Sequence, residues 1–127
     1  MTLPILSCGV IEFEPPAAAL MDFFIRRTEG LALAWTCGSQ EDVHVFLEKQ
    51  NPDILFWEVR AVPIVVAPIL VPIVKYHSNI IITSAMFEEM LKEVPFQYVD
   101  WLHKPFSYSR FLEGIEKVRN AKSGSSD

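Results

Sequence analysis

Five short apolar runs alternate with helix-forming segments along the 127 residues, and this alternation limits the possible folds more than any other feature. Parallel strands joined by helical crossovers form one sheet with helices on both faces. We therefore predict an α/β fold, a flavodoxin-like doubly wound five-stranded parallel sheet of order 2-1-3-4-5. The predicted strands are Leu3–Ile11 (β1), Leu31–Thr36 (β2), Asp53–Trp57 (β3), Asn79–Thr83 (β4) and Tyr98–Leu102 (β5).

Four helices are predicted from apolar residues at helical spacing. Two prolines, which the first helical turn tolerates, follow Glu14 at the start of the first helix. Ser39 is placed to cap the second helix, and Asp42, three residues on, would complete a capping box. The predicted helices are Pro15–Arg27 (α1), Ser39 to about Asn51 (α2), Met86–Val94 (α4) and Tyr108–Ala121 (α5).

The segment between β3 and β4, Ala61–Val74 (α3), is wholly apolar and contains Pro63, Pro68 and Pro72. An interior proline costs a helix about 3 kcal/mol, so we predict a degraded α3 that is broken or partly extended. Spanning a bilayer takes about 20 apolar residues, so the segment is too short to cross one. The alternatives are an irregular cover for the core, an exposed patch that binds a partner or a second copy, and a membrane contact.

Length and composition suit one folded domain, which we assign to residues 1–121, followed by a disordered Ser- and Gly-rich tail at 122–127. The net charge is −5 and no basic block is present, which argues against direct nucleic-acid binding. No signal peptide is recognisable at the start of the chain, so we expect a cytoplasmic location.

The sequence lacks the usual marks of a metal or cofactor site. Cys8 and Cys37 make neither a disulfide framework nor a zinc site, and Cys8 is expected to be a small buried residue. A glycine-rich phosphate loop and a hydrolase nucleophile elbow are both missing. We expect no cofactor, no metal ion and no enzymatic activity.

The stretch Tyr98–Phe106 brings a lysine to the functional edge of the predicted sheet. The strand must end at Lys104-Pro105, because proline cannot continue a sheet ladder. An X-Pro bond is also the one place where a cis peptide is cheap. Ligands of open parallel sheets bind at the carboxyl ends of the strands, and Lys104 follows such an end.

The strand, the Lys-Pro-Phe turn and the amphipathic helix after it resemble the end of a receiver domain of bacterial two-component response regulators. The sequence Val99–Phe106 is most similar to receivers that precede a LytTR-type DNA-binding domain. The resemblance covers about residues 3–120 and implies phosphorelay signal transduction. A receiver transfers a phosphoryl group to its own aspartate, helped by a magnesium ion, a hydroxyl and a lysine.

The resemblance also implies a role for individual residues. Pro52–Glu58 is similar to the run that ends in the phosphorylated aspartate, which places Glu58 at the acceptor position. Ser84 matches the hydroxyl, Lys104 the lysine, and Trp101 the aromatic residue that changes rotamer on activation. The Asp-Asp-Glu-Pro motif is matched by Glu12, Phe13 and Glu14.

Three departures from the family pattern affect the same pocket. Phe13 stands where the family has a direct magnesium ligand, and it has no oxygen to offer. Glu58 is longer than aspartate, so its carboxylate lies about 1.5 Å further into the pocket. The Met-Pro-x-x-x-Gly stretch after the acceptor is replaced from Arg60 onward. We therefore predict a degenerate phosphoacceptor pocket (Glu12, Phe13, Glu58, Ser84 and Lys104) that binds neither magnesium nor phosphate.

The predicted function is that of an atypical receiver, or pseudo-receiver, that signals through protein–protein contacts. The expected surface is α4-β5-α5, with Trp101, Tyr108 and Phe111, where a homodimer can also form. A Glu58–Lys104 ion pair would be either purely structural or a permanent imitation of the phosphorylated state. The alternatives are a phosphorylated receiver that uses another residue, such as Asp53, and the receiver portion of a LytTR-type regulator.

Overall fold

A computed structural model describes residues 3–60, 66, 68–90 and 94–124. Its five strands form one parallel sheet of order β2-β1-β3-β4-β5, which confirms the predicted fold. The strand ends differ from the prediction by up to three residues. The strands are Leu6–Ile11 (β1), Leu31–Cys37 (β2), Ile54–Glu58 (β3), Ile80–Ser84 (β4) and Asp100–His103 (β5).

The first and last helices are regular, and α1 spans Pro15–Arg27 as predicted. Helix α5 spans Tyr108–Gly124, three residues beyond the predicted end, because Ala121 and Lys122 favour a helix and no Gly or Pro lies between Ala121 and Gly124. The predicted tail at 122–127 therefore begins within this helix, and residues 125–127 lie outside the described ranges.

Helix α2 covers only Val43–Lys49 and follows a 3₁₀ turn at Gln40–Asp42. The hydroxyl of Ser39 accepts a hydrogen bond from the Glu41 N–H at 3.2 Å. Asp42 makes no capping bond with its side chain, so the predicted capping box is wrong. Ser39 caps a 3₁₀ turn instead, because the chain bends once more before the helix begins.

The third crossover is degraded, as predicted. A 3₁₀ turn at Pro68–Leu70 leads into the short helix Val71–Tyr76 (α3). Leu70 and Val74 are buried in the core, whereas Ile69 is exposed. The described part of α3 therefore covers the core with one face and presents apolar side chains on the other. Pro63 lies outside the described residues.

Within the described residues 86–90 of the α4 segment, the structure has a 3₁₀ turn at Glu88–Met90, so the helix predicted at 86–94 is wrong over these residues. The carbonyl of Met86 accepts a hydrogen bond from the Trp101 indole at 3.0 Å. The Met90 N–H, which would bond that carbonyl in an α-helix, donates to the Phe87 carbonyl instead. Residues 91–93 lie outside the described ranges.

Apolar side chains form one core layer on each face of the sheet. The first layer joins α1 and α5 to the sheet through Met21, Phe24, Ile115 and Val118, and the second joins α2 and α3 to the other face. Cys8 is buried in the first layer, as predicted, and burial raises the pKa of its thiol to about 12. No described helix is both long and apolar enough to cross a bilayer.

Candidate functional site

Side chains from three strand ends meet at one edge of the sheet. Glu12 follows β1, Glu58 is the last residue of β3, and Lys104 follows β5. The backbone holds these positions together, because the Lys104 N–H donates to the Ser84 carbonyl at 2.7 Å and the Glu12 N–H donates to the Cys37 carbonyl at 3.0 Å. The parallel topology therefore brings Glu12, Glu58 and Lys104 to one edge of the sheet.

Lys104 lies between two buried carboxylates. Its Nζ is 2.6 Å from Glu12 Oε1, in an ion pair outside hydrogen-bonding geometry, and it donates a hydrogen bond to Glu58 Oε2. Glu12 and Glu58 are only 3% and 5% exposed. Burial leaves little water to solvate either acid, so the ammonium is their main source of positive charge.

The pKa values of Glu12 and Glu58 shift in opposite directions. Burial raises the pKa of Glu12, and a hydrogen bond with Glu58 raises it further against the effect of Lys104. Burial would also raise the pKa of Glu58, but hydrogen bonds with Glu12, Lys104 and the Phe13 N–H outweigh it and lower the pKa. Glu58 is therefore the ionised partner of Lys104, and Glu12 is the acid that holds a proton more readily.

Arg60 adds a second cation that the sequence did not reveal. Its Nε donates to Glu58 Oε1 at 3.0 Å, and its Nη2 donates to Glu14 Oε1 at 3.1 Å. The guanidinium also lies over the Phe13 ring, with 5.2 Å between Cζ and the ring centroid. The sequence showed only that Arg60 lies two residues after Glu58. Its contact with Glu14 depends on how the loop after β3 approaches the loop after β1, which the sequence does not reveal.

The hydroxyl of Ser84 is fully engaged within the protein. It donates to the Val59 carbonyl at 2.6 Å and accepts from the Met86 N–H at 3.0 Å. Ser84 is also fully buried. The hydroxyl therefore ties the loop after β4 to the end of β3.

With Lys104 and Arg60 both in contact with Glu58, the residues around this carboxylate do not fit a magnesium ion. Magnesium prefers an octahedral shell of oxygen ligands, and the Phe13 side chain has none. Both buried carboxylates are already in contact with the Lys104 ammonium. Within residues 3–60, 66, 68–90 and 94–124, no group of three or more His, Cys, Asp or Glu side chains is arranged to hold a metal.

The fold is similar to that of solved receiver structures. The response regulatory domain of mrkE from Klebsiella pneumoniae superposes with a TM-score of 0.73 at 18% identity, covering 91% of this chain and 97% of that one. The response regulator domain of Thermotoga maritima CheB gives 0.72 at 16% identity, covering 92% and 96%. The chain has the fold of a receiver domain.

A longer protein shares the same fold. The anti-anti-sigma factor PhyR from Bartonella quintana superposes with a TM-score of 0.76 at 15% identity. The match covers 96% of this chain but only 51% of that protein. No protein-family model and no curated protein sequence matches this chain.

The lysine turn connects strand β5 to helix α5. The Lys104-Pro105 peptide bond is cis, and helix α5 begins three residues after Pro105. Ser107 caps this helix, because its hydroxyl accepts from the Arg110 N–H at 3.1 Å.

The three residues expected on the interaction surface of this receiver fold lie in different places. Trp101 is buried, and its indole is fixed to the loop after β4. Tyr108 is half-buried against α1, with its hydroxyl 2.9 Å from Thr28 Oγ1. Phe111 is fully buried between Phe24 and Phe56, so it is a core residue and its assignment to the surface is wrong. Helical spacing places Phe111 on the inner stripe of α5 with Ile115.

Two exposed apolar side chains between β4 and β5 were not singled out from the sequence. Phe87 is 55% exposed, and its ring stacks on His103 with 4.0 Å between centroids. Met90 is also exposed. Phe87 and Met90 are therefore both exposed in the segment between β4 and β5, and we call these two residues the α4 patch.

Proposed function

We propose that this chain is an atypical receiver domain that signals through protein–protein contacts and is not phosphorylated. The observation that carries the proposal is the Lys104 ion pair with Glu58 and Glu12. In a working receiver the lysine binds the incoming phosphoryl group, whereas here it is already bound to the side chain at the acceptor position. The domain acts in signalling without being an enzyme and without a cofactor.

The side chain of Phe13 also supports the proposal that the domain is not phosphorylated. Phosphoryl transfer depends on positioning and on neutralising charge at the reacting oxygens. Phe13 supplies a ring where the family supplies a magnesium ligand, and Glu58 supplies a longer acid than aspartate. The Glu58–Lys104 pair leaves two roles for the site, a static structural bond or a lasting imitation of the phosphorylated conformation.

The alternative acceptor Asp53 has a structural role that disfavours it. Its Oδ2 accepts hydrogen bonds from the Ser7 N–H at 2.8 Å and the Ser7 hydroxyl at 3.1 Å. Asp53 precedes β3 and lies at the opposite end of the strand from Glu58. It is therefore distant from Lys104 and engaged in joining β1 to β3.

The partner we propose is a protein, which includes a second copy of this chain. The α4 patch and the adjoining β5 and α5 residues offer the contact surface, as in the expected α4-β5-α5 mode. A net charge of −5 disfavours direct contact with nucleic acid. The Val99–Phe106 sequence supports a place near receivers of LytTR-type regulators, and the cytoplasmic location remains a prediction.

A titration with beryllofluoride and Mg²⁺, followed by Trp57 and Trp101 fluorescence, tests the proposal. Beryllofluoride imitates a phosphoryl group on the acceptor, so a working receiver gives a saturable, metal-dependent change. We expect no such change. A saturable change that requires Mg²⁺ would overturn the proposal, and labelling with a radioactive small phosphodonor would then identify the acceptor as Glu58 or Asp53.

A further inference from the structure

We propose that Arg60 is a built-in cation that takes the place of the divalent metal ion of a working receiver pocket. The inference rests on the proposed function, because it explains how this pocket is kept complete without a metal. Arg60 joins the buried acid Glu58 to Glu14, which lies at the rim. It therefore bridges two carboxylates from different loops.

The charges of the cluster support this role. Glu12, Glu14 and Glu58 bring three acids to one place, and Lys104 contacts only the two buried ones. Arg60 supplies the second positive charge and reaches the third acid. A guanidinium suits this bridge better than an ammonium, because its planar fork can donate to two carboxylates at once.

Phe13 connects the lost metal ligand with the new cation. Its ring lies beneath the guanidinium, with 5.2 Å between Cζ and the centroid, where a cation is attracted to the face of the ring. The Phe13 N–H also donates to Glu58 Oε1 at 3.1 Å, the same oxygen that Arg60 contacts. The residue that removes a metal-binding oxygen thus helps to hold the cation that replaces it.

The regulatory consequence is a pocket whose conformation is independent of divalent cations. A metal ion approaching Glu58 and Glu14 would meet the guanidinium and be repelled. Replacing Arg60 by a neutral residue leaves Glu12, Glu14 and Glu58 with Lys104 as the one remaining cation in this cluster. A divalent cation then becomes the available source of the missing charge, even without a ligand from Phe13.

Thermal unfolding with and without MgCl₂ tests the inference in Arg60→Met and in a control, Arg26→Met. Arg26 is an exposed arginine paired with Asp22 on α1. We expect Mg²⁺ to raise the midpoint of Arg60→Met by about 3 °C and to leave the wild type and the control unchanged. Trp57 fluorescence of Arg60→Met should change with Mg²⁺ in the same saturable way.

A second variant, Arg60→Lys, separates charge from bulk. It keeps the positive charge, so we expect it to remain insensitive to Mg²⁺. The inference is overturned if Arg60→Met responds to Mg²⁺ no more than the control does, or if Arg60→Lys responds as strongly as Arg60→Met. A metal-dependent beryllofluoride response in the wild type would instead overturn the proposed function, so the two failures are distinct.

Discussion

The proposed function depends on two residues, Glu58 and Lys104. The Glu58 carboxylate accepts a hydrogen bond from the Lys104 ammonium. Glu12 contributes a second acid to the same ammonium. The predicted strands were sufficient to place all three residues at one edge, because each follows or ends a strand. It did not reveal Arg60, whose bridge depends on loop geometry rather than on spacing.

Lys104→Met should destabilise the fold strongly. The change leaves Glu12 and Glu58 buried without the ammonium between them, and breaking a buried ion pair costs about 3 kcal/mol. Chemical denaturation measures the free energy of unfolding. Lys75→Met, at an exposed position on α3, is the control and should change it by less than about 0.5 kcal/mol. Equal effects of the two changes would contradict a central role for the Lys104 pairs.

His77 should make the stability of the fold depend on pH. Its Nδ1 accepts from the Asn79 N–H at 3.1 Å, so its Nε2 carries the proton and donates to the Pro52 carbonyl at 2.8 Å. Burial lowers the pKa of His77, against the opposing effects of the Pro52 carbonyl and Asp53. The unfolded chain, with a histidine pKa of about 6.5, therefore binds the proton more readily than the folded one.

The stability that neutral His77 contributes to the folded state is fully present above a pH of about 6.5. This stability is lost as the pH falls through the lowered pKa of His77. We expect His77→Gln to flatten the pH dependence of the unfolding free energy in that range, measured by denaturation at several pH values. His103→Gln, at the other end of the sheet, is the control. An unchanged slope in His77→Gln would show that this histidine does not supply the effect.

Among the helices and turns, local signals predicted α1 well and α4 poorly. Helix α1 begins at Pro15 and ends at Arg27 because its prolines and the following Gly30 mark both ends in the sequence. The α4 segment carries apolar residues at helical spacing. The Met86 carbonyl, however, accepts a hydrogen bond from the Trp101 indole, and the chain forms a 3₁₀ turn there. A hydrogen bond across 15 residues is not visible in a local pattern.

The junction between β5 and α5 depends on the buried acid Asp100. Arg110 donates to both of its carboxylate oxygens, at 2.7 and 2.8 Å, and Lys117 donates at 3.0 Å. Burial acts to raise the pKa of Asp100, but these bonds outweigh it and lower the pKa. The carboxylate therefore joins the first residue of the strand to two turns of the helix.

Asp100→Asn should loosen this junction and cost about 2 kcal/mol of unfolding free energy, because hydrogen bonds to charged groups contribute more than neutral ones. The difference from wild type should shrink as the pH falls below about 4, where protonation of Asp100 removes the same bonds. Asp22→Asn, in an exposed pair on α1, is the control and should cost only a few tenths of a kcal/mol. A loss in Asp100→Asn no larger than in that control would contradict the role of Asp100.

For the whole molecule, the alternation of strands and helices was sufficient to predict the sheet order. The two core layers follow because the crossovers place helices on both faces of that sheet. The location of the contact surface was harder to predict. Phe111 is an aromatic residue of the type often found at interfaces, but it lies in the core. Phe87 is exposed, and no pattern in the sequence distinguishes it from a buried phenylalanine.

The α4 patch should carry contacts between copies or with a protein partner. Phe87→Ser removes an exposed apolar ring there, and Phe23→Ser removes a ring of similar exposure, 57%, from α1. We expect Phe87→Ser to weaken self-association at least tenfold in sedimentation velocity, about the effect of losing 1.4 kcal/mol, and Phe23→Ser to leave it unchanged. A wild type that stays monomeric at high concentration would contradict the homodimer.

A crystal structure grown with Mg²⁺ and beryllofluoride tests the central claim most directly. We expect Lys104 to remain between Glu12 and Glu58, with the Arg60 guanidinium over the Phe13 ring and no metal ion beside it. An octahedrally coordinated magnesium ion next to residue 13, with beryllofluoride on Glu58, would contradict the claim that this pocket is completed by its own side chains.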